Sequence, residues 1–487
     1  MNNNSLLTVL LIFCLSTSQL LAQNKYSLDD IIELARAQSP FSLQAETRKE
    51  NRYWQYRLYK SNYNPQLRLS GNIPAYSNEI APVEQNDGTI EFIALKRTNS
   101  MVNLGLIQPI SLTGGNISIN SSANYFNNLV DGNKLEGWNG TLYNVQLNQP
   151  LFSFNSISWD RRTEPLRYEE SKRSYVEEME FVSNQAVERF FSFLDAQINL
   201  QIATFNLANN DTIYKIEQGR YNLGTTSKDK LLQVELQLLR SKQDVAQANL
   251  DLQTARLRLR SFLGFKEEKE YVFELPGAIP EFEVLPEVAL QHAINNRSDY
   301  IAFERRKIEA EREIAQARGQ RFQANLIASF GANNSAPQYP GIYDNPANQQ
   351  RANIQLDIPV LDWGRNKSRM KTALANKQLN DYVIAQDERN FEQEVITKVR
   401  QIEVLRLQVE ITKASDRVAQ ERYSVAQNRY LIGKIDITNL NIALTEKDNA
   451  KRSYVSALRS FWTAYFDLRR LTLYDFVENT LLYNPDL

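Results

Sequence analysis

Side chains able to do chemistry are scarce in this chain. His292 is the only histidine and Cys14 the only cysteine. A zinc site, a Ser or Cys triad and an acid–base histidine pair all need more of these residues. His292 sits in Ala289-Leu290-Gln291-His292-Ala293, a helical stretch where a lone histidine reads as a packing residue. No glycine-rich phosphate loop follows a strand pattern. Carboxylates are plentiful, 57 against 56 Lys and Arg, but they interleave with the cations along helix faces, as in Glu309–Arg318. That is the pattern of i,i+4 pairs on solvated faces. The expectation is no catalytic residue, no cofactor and no metal, so the chain does not read as an enzyme. A net charge of -1 without a Lys/Arg run also argues against nucleic acid as a partner.

What recurs is a turn. Arg220-Tyr221-Asn222-Leu223-Gly224 returns as Arg429-Tyr430-Leu431-Ile432-Gly433, 209 residues later. Upstream of each copy lies an apolar run ending at a proline, Leu147-Asn148-Gln149-Pro150-Leu151-Phe152 and Leu356-Asp357-Ile358-Pro359-Val360-Leu361. Pro150 and Pro359 are again 209 apart. Two landmarks on one offset define an internal duplication. In each copy the arginine falls in the last turn of a helix, where a cation answers free carbonyls and the negative dipole end. Gly224 and Gly433 supply the left-handed backbone that a reversal needs.

Long helices must position these turns. No proline lies between Pro165 and Pro276 or between Pro359 and Pro485, and glycine is nearly absent there. One helix over 165–221 would be about 85 Å long and has to pack beside others. The returning helix, from 231, shows how. Leu231, Leu238, Val245, Leu252 and Leu259 recur every seven residues, with Val234, Ala248, Ala255 and Phe262 between them. This is an a/d seam. The shifted positions read Leu440, Tyr454, Phe461 and Leu468, with Ala443, Ala450, Ala457, Ala464 and Leu471, and Lys447 interrupts the first row. An opening helix begins each copy, one capped by Ser27 with Asp29 and Asp30 in its first turn, the other started by Pro286. They are expected to run to about Asn64 and Gln323. Aligning Leu67 with Leu326 gives an offset of 259, so the first copy holds 50 further residues between Leu67 and Pro150.

Those residues alternate with period two. Leu67, Leu69, Gly71 and Ile73 form one row, Val102, Leu104 and Leu106 a second, Ile117 and Ile119 a third, Tyr143, Val145 and Leu147 a fourth. In the second copy Leu326, Ala328 and Phe330 pair with Ile354, Leu356 and Ile358. Such runs are the signature of membrane β-barrel strands. Pro150 and Pro359, lacking a ladder N–H, mark where a strand leaves the barrel and turns into a helix. Phe152, Phe154, Trp159 and Trp363 read either as an interfacial aromatic belt or as packing at that transition. Leu129-Val130-Asp131-Gly132-Asn133-Lys134 and Glu84–Thr89 lack the strand pattern and are expected to be enlarged extracellular loops, with Gly114-Gly115 turning an additional hairpin.

Residues 5–22 read as a signal-peptide core cut near Ala22, which would remove Cys14 and leave no disulfide. Past residue 22 no apolar run is long enough for a spanning helix. The expected domains are 1–22 signal peptide, 23–275 first repeat with an acidic end at Glu267-Glu268, 276–286 linker, 287–473 second repeat and 474–487 tail. The fold class is mainly α, with long antiparallel coiled-coil-like helices and a membrane β part.

The ordered, duplicated set of strand, Pro150 or Pro359, long helix and Arg-Tyr-x-x-Gly turn resembles the TolC family of outer-membrane efflux and secretion channels, over the whole mature chain. The resemblance implies a homotrimer with four strands per chain in a shared twelve-stranded barrel and a trimeric α-helical tunnel across the periplasm. It implies an outer membrane of a Gram-negative bacterium, with lipid around the barrel. The function implied is a passive conduit of a tripartite efflux or type I secretion system, working with a periplasmic adaptor protein and an inner-membrane pump. The turns become the periplasmic tip, with Arg220, Tyr221, Asn222, Leu223, Gly224, Thr225 and Thr226, and Arg429, Tyr430, Leu431, Ile432, Gly433 and Lys434, as candidate adaptor contacts. Asp436, with Asn439 and Asn441 nearby, is the candidate pore constriction. The unequal flanks of the turns predict unequal contacts to the adaptor. The competing reading is an exported periplasmic coiled-coil adaptor or scaffold that binds partners without conducting.

Overall fold

The computed structural model describes residues 25–84, 87–130, 133–265 and 271–484. The expected signal segment with Cys14 and Ala22, the Asp131-Gly132 pair and Glu267-Glu268 lie outside the described residues. The first half of the chain runs β1 (Lys25–Tyr26), α1 (Leu28–Gln38), α2 (Pro40–Ser61), β2 (Gln66–Glu84), β3 (Ile90–Ile110), β4 (Gly115–Val130), β5 (Asn133–Leu151), α3 (Ser156–Asn222), α4 (Lys228–Leu263) and β6 (Val272–Phe273). The second half runs α5 (Pro286–Asn296), α6 (Ser298–Gly319), β7 (Gln323–Ala336), β8 (Ala347–Asp357), α7 (Arg365–Leu431), α8 (Ile437–Thr472), β9 (Tyr474–Asp475) and β10 (Thr480–Leu481).

The duplication is exact in the long helices. Both α3 and α7 have 67 residues, both α4 and α8 have 36, and all four pairs of ends match at the 209-residue offset. The opening helices match at 258, one less than the strand alignment suggests, and 258 less 209 leaves 49 residues specific to the first copy. Each opening helix is broken rather than continuous. Ser39 and Arg297 are extended, with ψ 147° and 149°. Pro40 explains the first break, since proline disfavours helix at the residue before it and lacks an N–H. Ser39 Oγ then accepts the Ser42 N–H at 3.1 Å. The expected cap at Ser27 forms as a full capping box with Asp30. The long helix begins at Ser156, so Pro165 lies inside it instead of at its start.

Two bodies divide the chain. The helical body holds residues 25–49, 172–298 and 388–484 of the described chain. Its core is aromatic, with Phe190, Phe191, Phe193 and Phe461 fully buried. Each buried phenylalanine contributes about 1.5–3 kcal/mol. The a/d seam is buried as its spacing predicts at Val234, Leu238, Ala248, Ala255, Leu259 and Phe262, and at Leu440, Ala443, Tyr454, Ala457, Phe461, Ala464, Leu468 and Leu471. Lys447, the break in the second row, keeps its ammonium 4.2 Å from the Phe205 ring and 4.6 Å from that of Tyr423. A cation over two rings is tolerated where an isolated one is not. Glu180 is fully buried, 2.5 Å from Arg36 and 2.9 Å from Arg469, and Arg469 continues to Asp475 at 2.6 Å.

The sheet body holds residues 50–171 and 299–387. Its strands form one antiparallel meander in the order β2-β3-β4-β5-β7-β8. Six strands therefore stand where four per chain are expected. Both Val102–Leu106 and Ile117–Ile119 belong to full strands, and residues 111–114 turn between them with Gly114 at φ 76°. The expected enlarged loops are likewise corrected. Glu84 pairs with Ile90 and Val130 with Asn133, so the described residues of both segments include the ends of paired strands; Gln85-Asn86, like Asp131-Gly132, lie outside the described residues. The added residues lengthen the wall because their alternation gives them one apolar face, which a free loop would have no use for.

That face is inverted relative to a soluble sheet. Leu67, Leu106, Ile119, Val145 and Phe330 stand in register across five strands. All five side chains are exposed, at 37–67%. One residue along, Arg68, Gly105, Asn120, Asn144 and Gly331 form the matching row on the other face. On that face Ser118 is buried and Asn120 half-buried. Apolar outside and polar inside is the arrangement of a wall set in lipid.

Candidate functional site

Both turns are built by the same bonds. At the first, Gly224 N–H donates to the Tyr221 carbonyl and Thr225 N–H to that of Arg220, each at 2.9 Å. At the second, Gly433 N–H reaches Tyr430 at 3.0 Å and Lys434 N–H reaches Arg429 at 2.8 Å. This is the Schellman closure of a helix, which requires a left-handed residue. Gly224 and Gly433 provide it, both at φ 74°. Three residues after each glycine the next helix is capped at matched positions. Ser227 accepts the Lys230 N–H, and Asp436 accepts the Asn439 N–H at 2.9 Å. Asp436 also accepts from the Asn439 side chain at 2.9 Å, so the two candidate constriction residues are bonded to each other at the start of α8.

Matching Arg-Tyr-x-x-Gly turns nevertheless sit in different surroundings. Tyr430 is 2% exposed and packs among Ile213, Val234, Tyr423, Ile437 and Leu440. Tyr221 is 40% exposed. The Tyr430 hydroxyl donates to Glu217 Oε1 at 2.7 Å, and Arg220 pairs with the same oxygen at 2.7 Å. The Arg220 guanidinium lies 5.3 Å from the Tyr430 ring and donates to the Leu431 carbonyl at 3.4 Å. One turn is thereby tied to the other through Glu217-Arg220-Tyr430. The reciprocal tie has no acceptor, because the residue 209 beyond Glu217 is Ala426. Arg429 is accordingly exposed. Glu217 was not singled out in the sequence, although an acid one turn before Arg220 and absent before Arg429 is a readable signal.

Charge follows the geometry. Burial acts to raise the Glu217 carboxyl, but hydrogen bonds from Tyr430 and Arg220, with the Arg220 charge, outweigh it and hold it below the usual carboxylate range. Burial first, then Glu217, pushes the Tyr430 hydroxyl well above the ordinary tyrosine range. A groove of about 420 Å³ runs between the turns, lined by Arg220, Thr225, Thr226, Lys230, Ile432 and Asp436 among others. Beside it Leu223 is 80% and Ile432 67% exposed, an apolar surface with no packing role in the single chain.

The prolines at the strand-to-helix changes do what a missing N–H permits. Asn148 is the last β5 residue paired with β4, and Pro150 pairs with Asn325 of β7. Pro359 lies two residues beyond the end of β8. The four aromatics there divide into two pairs. Phe152 and Trp363 are 79% and 90% exposed, the exposure an interfacial belt needs, and both have positive φ. Phe154 and Trp159 instead pack under Arg312 and Arg162, at 5.9 and 4.6 Å. His292 stacks on Tyr474 at 4.0 Å. Among the described residues no group of His, Cys, Asp and Glu could hold a metal ion.

An apolar-outward strand meander joined in one chain to duplicated long helices with matched turns defines a membrane-barrel protein with a helical part. The fold is that of solved outer-membrane channels. The Campylobacter jejuni CmeC outer membrane channel matches at 14% identity over 91% of this chain and 85% of its own, with a TM-score of 0.64. The outer membrane protein VceC of Vibrio cholerae matches at 13% identity, over 91% and 95%, with a TM-score of 0.62. The Neisseria gonorrhoeae MtrE outer membrane channel matches at 16% identity, over 91% and 88%, with a TM-score of 0.60. No curated protein matches by sequence. The family described as Outer membrane efflux protein matches residues 114–265 and 289–472. The chain belongs to that family. It is an outer-membrane efflux channel protein of a Gram-negative cell rather than an enzyme. The reading as a non-conducting periplasmic scaffold falls with the sheet and with this membership.

Proposed function

We propose that three copies of this chain assemble around one pore, a passive conduit that takes its energy from an inner-membrane pump reached through a periplasmic adaptor. The observation that carries this is the inverted sheet with two unpaired edge strands. Open edges are excluded in lipid, so one chain alone cannot form the wall. Residues 1–22 are removed on export, 23–275 and 287–473 act as the two repeats, 276–286 link them and 474–487 form the tail.

The two turns serve as the periplasmic tip. Arg220, Tyr221, Leu223, Gly224 and Thr225 on one side, and Arg429, Tyr430, Ile432, Gly433 and Lys434 on the other, form the adaptor surface. Exposed Leu223 and Ile432 beside the groove support that assignment. Asp436 and Asn439 would narrow the same opening, and Pro150 and Pro359 mark the change from barrel to helix. The test is mild detergent extraction from membranes, native mass, and ion conductance of the purified assembly. A trimer recovered from the outer membrane is expected. A soluble periplasmic monomer would refute the reading.

A further inference from the structure

We propose that the copies close a barrel of eighteen strands, six from each of three chains, by pairing β8 of one copy with β2 of the next. The count rests on the trimeric reading above. The contribution of six rests on the sheet itself.

Every inner strand of the meander is paired on both sides. Leu69 pairs with Leu104, Leu104 with Ser121, Ile119 with Val145, Val145 with Phe330, and Leu326 with Ile354. The additional hairpin, β3 and β4, is therefore not a plug or a flap beside the wall. It lies within the wall, between β2 and β5. Its faces agree with those of its neighbours. Val102, Leu104, Leu106, Ile117 and Ile119 continue the exposed apolar face set by Leu67 and Leu69. Asn103, Gly105, Ser118 and Asn120 continue the polar one. A hairpin folded into a water-filled lumen would need neither this alternation nor partners on both sides.

The ends of the meander suit closure between copies. β2 follows α2 in the chain and β8 leads into α7, and because an even number of strands lies between these helices, β2 and β8 run in opposite directions. In a ring of copies related by rotation, β8 of one then runs antiparallel to β2 of the next, the pairing that every other neighbour here already uses. Both edges carry exposed apolar side chains, Leu67, Leu69 and Ile73 on β2 and Ile354 and Leu356 on β8, each at least 60% exposed. An odd number of strands would place parallel neighbours at each seam.

The consequence is width. With about 4.8 Å between strands and a tilt of ~40°, eighteen strands give a backbone radius of ~18 Å, against ~12 Å for twelve. The cross-section is thus roughly 2.2-fold larger, with a lumen face built from Asn, Ser, Gln and Gly positions such as Asn120, Asn144, Gln146 and Ser329.

Electron cryo-microscopy of the purified full-length assembly, with native mass measured on the same sample, tests this. The expected result is a three-chain mass and eighteen wall strands, with β8 against the neighbour's β2. A three-chain mass with twelve wall strands, and β3 and β4 outside the wall, would overturn the proposal and leave the trimeric reading standing. A mass other than three chains would overturn the trimeric reading and the count of eighteen with it.

Discussion

Replacing Tyr430 by Phe removes one hydroxyl and little else, which makes it a clean probe of the tie between the turns. The oxygen lost is a donor to a carboxylate at 2.7 Å, and the ring around it is 2% exposed, so no water can take its place. A hydrogen bond to a charged group contributes about 1.5–3 kcal/mol. Glu217 keeps its Arg220 partner at 2.7 Å, which sets the expected loss near 2 kcal/mol, roughly a 30-fold shift towards separated turns. The duplication supplies the control. Tyr221→Phe alters the matching position of the other Arg-Tyr-x-x-Gly turn, but Tyr221 is 40% exposed, and the position 209 residues beyond Glu217 holds Ala426 in place of an acid. It should shift the equilibrium by less than about 0.5 kcal/mol. Hydrogen exchange of the turn amides reads both. Faster exchange at 223–225 and 432–434 in Tyr430→Phe alone is expected. Equal effects in the two variants, or none in Tyr430→Phe, would refute the tie.

Three further outcomes follow from the same geometry. Because the Glu217 carboxyl lies below its ordinary value when folded, its contribution is present above about pH 4.3 and is lost as pH falls through the lower folded value. The difference in unfolding midpoint between wild type and Glu217→Gln should therefore be constant from pH 7 to 5 and close below about pH 4. Glu180→Ala removes the buried carboxylate shared by Arg36 and Arg469, leaving Arg469 only its Asp475 partner, and should cost about 3 kcal/mol, whereas Glu178→Ala breaks a half-exposed pair with Arg48 and should cost under about 1 kcal/mol, compared by thermal unfolding. Ile119→Arg puts a charge on the apolar face and should cost about 2–4 kcal/mol of membrane-folded stability. Asn120→Arg, one residue along on the polar face, should instead leave assembly intact, with outer-membrane yield as the measure.

The sequence carried the repeating parts of this molecule because they are local. Proline and glycine placement sets helix ends, and the 209-residue offset appears in residue spacing before any contact is considered. Alternation at Val102–Leu106 and Ile117–Ile119 is equally local and readable, but which strands pair, and that six join one sheet, is set by long-range hydrogen bonding that alternation does not specify. Burial of acids was not readable. Glu180 and Glu217 look like any of the interleaved helix-face carboxylates, and only packing against Arg469 and Tyr430 distinguishes them. Identical Arg-Tyr strings also concealed unequal roles, because the deciding residues, Glu217 and Ala426, lie one turn upstream of the motif.

The central claim is that this chain forms a passive pore through the outer membrane. Planar-bilayer recording from the purified, detergent-extracted assembly tests it most directly. Discrete, ohmic conductance steps that need no nucleotide or pump are predicted. A folded, membrane-extracted assembly that inserts into the bilayer and passes no ions would contradict the account.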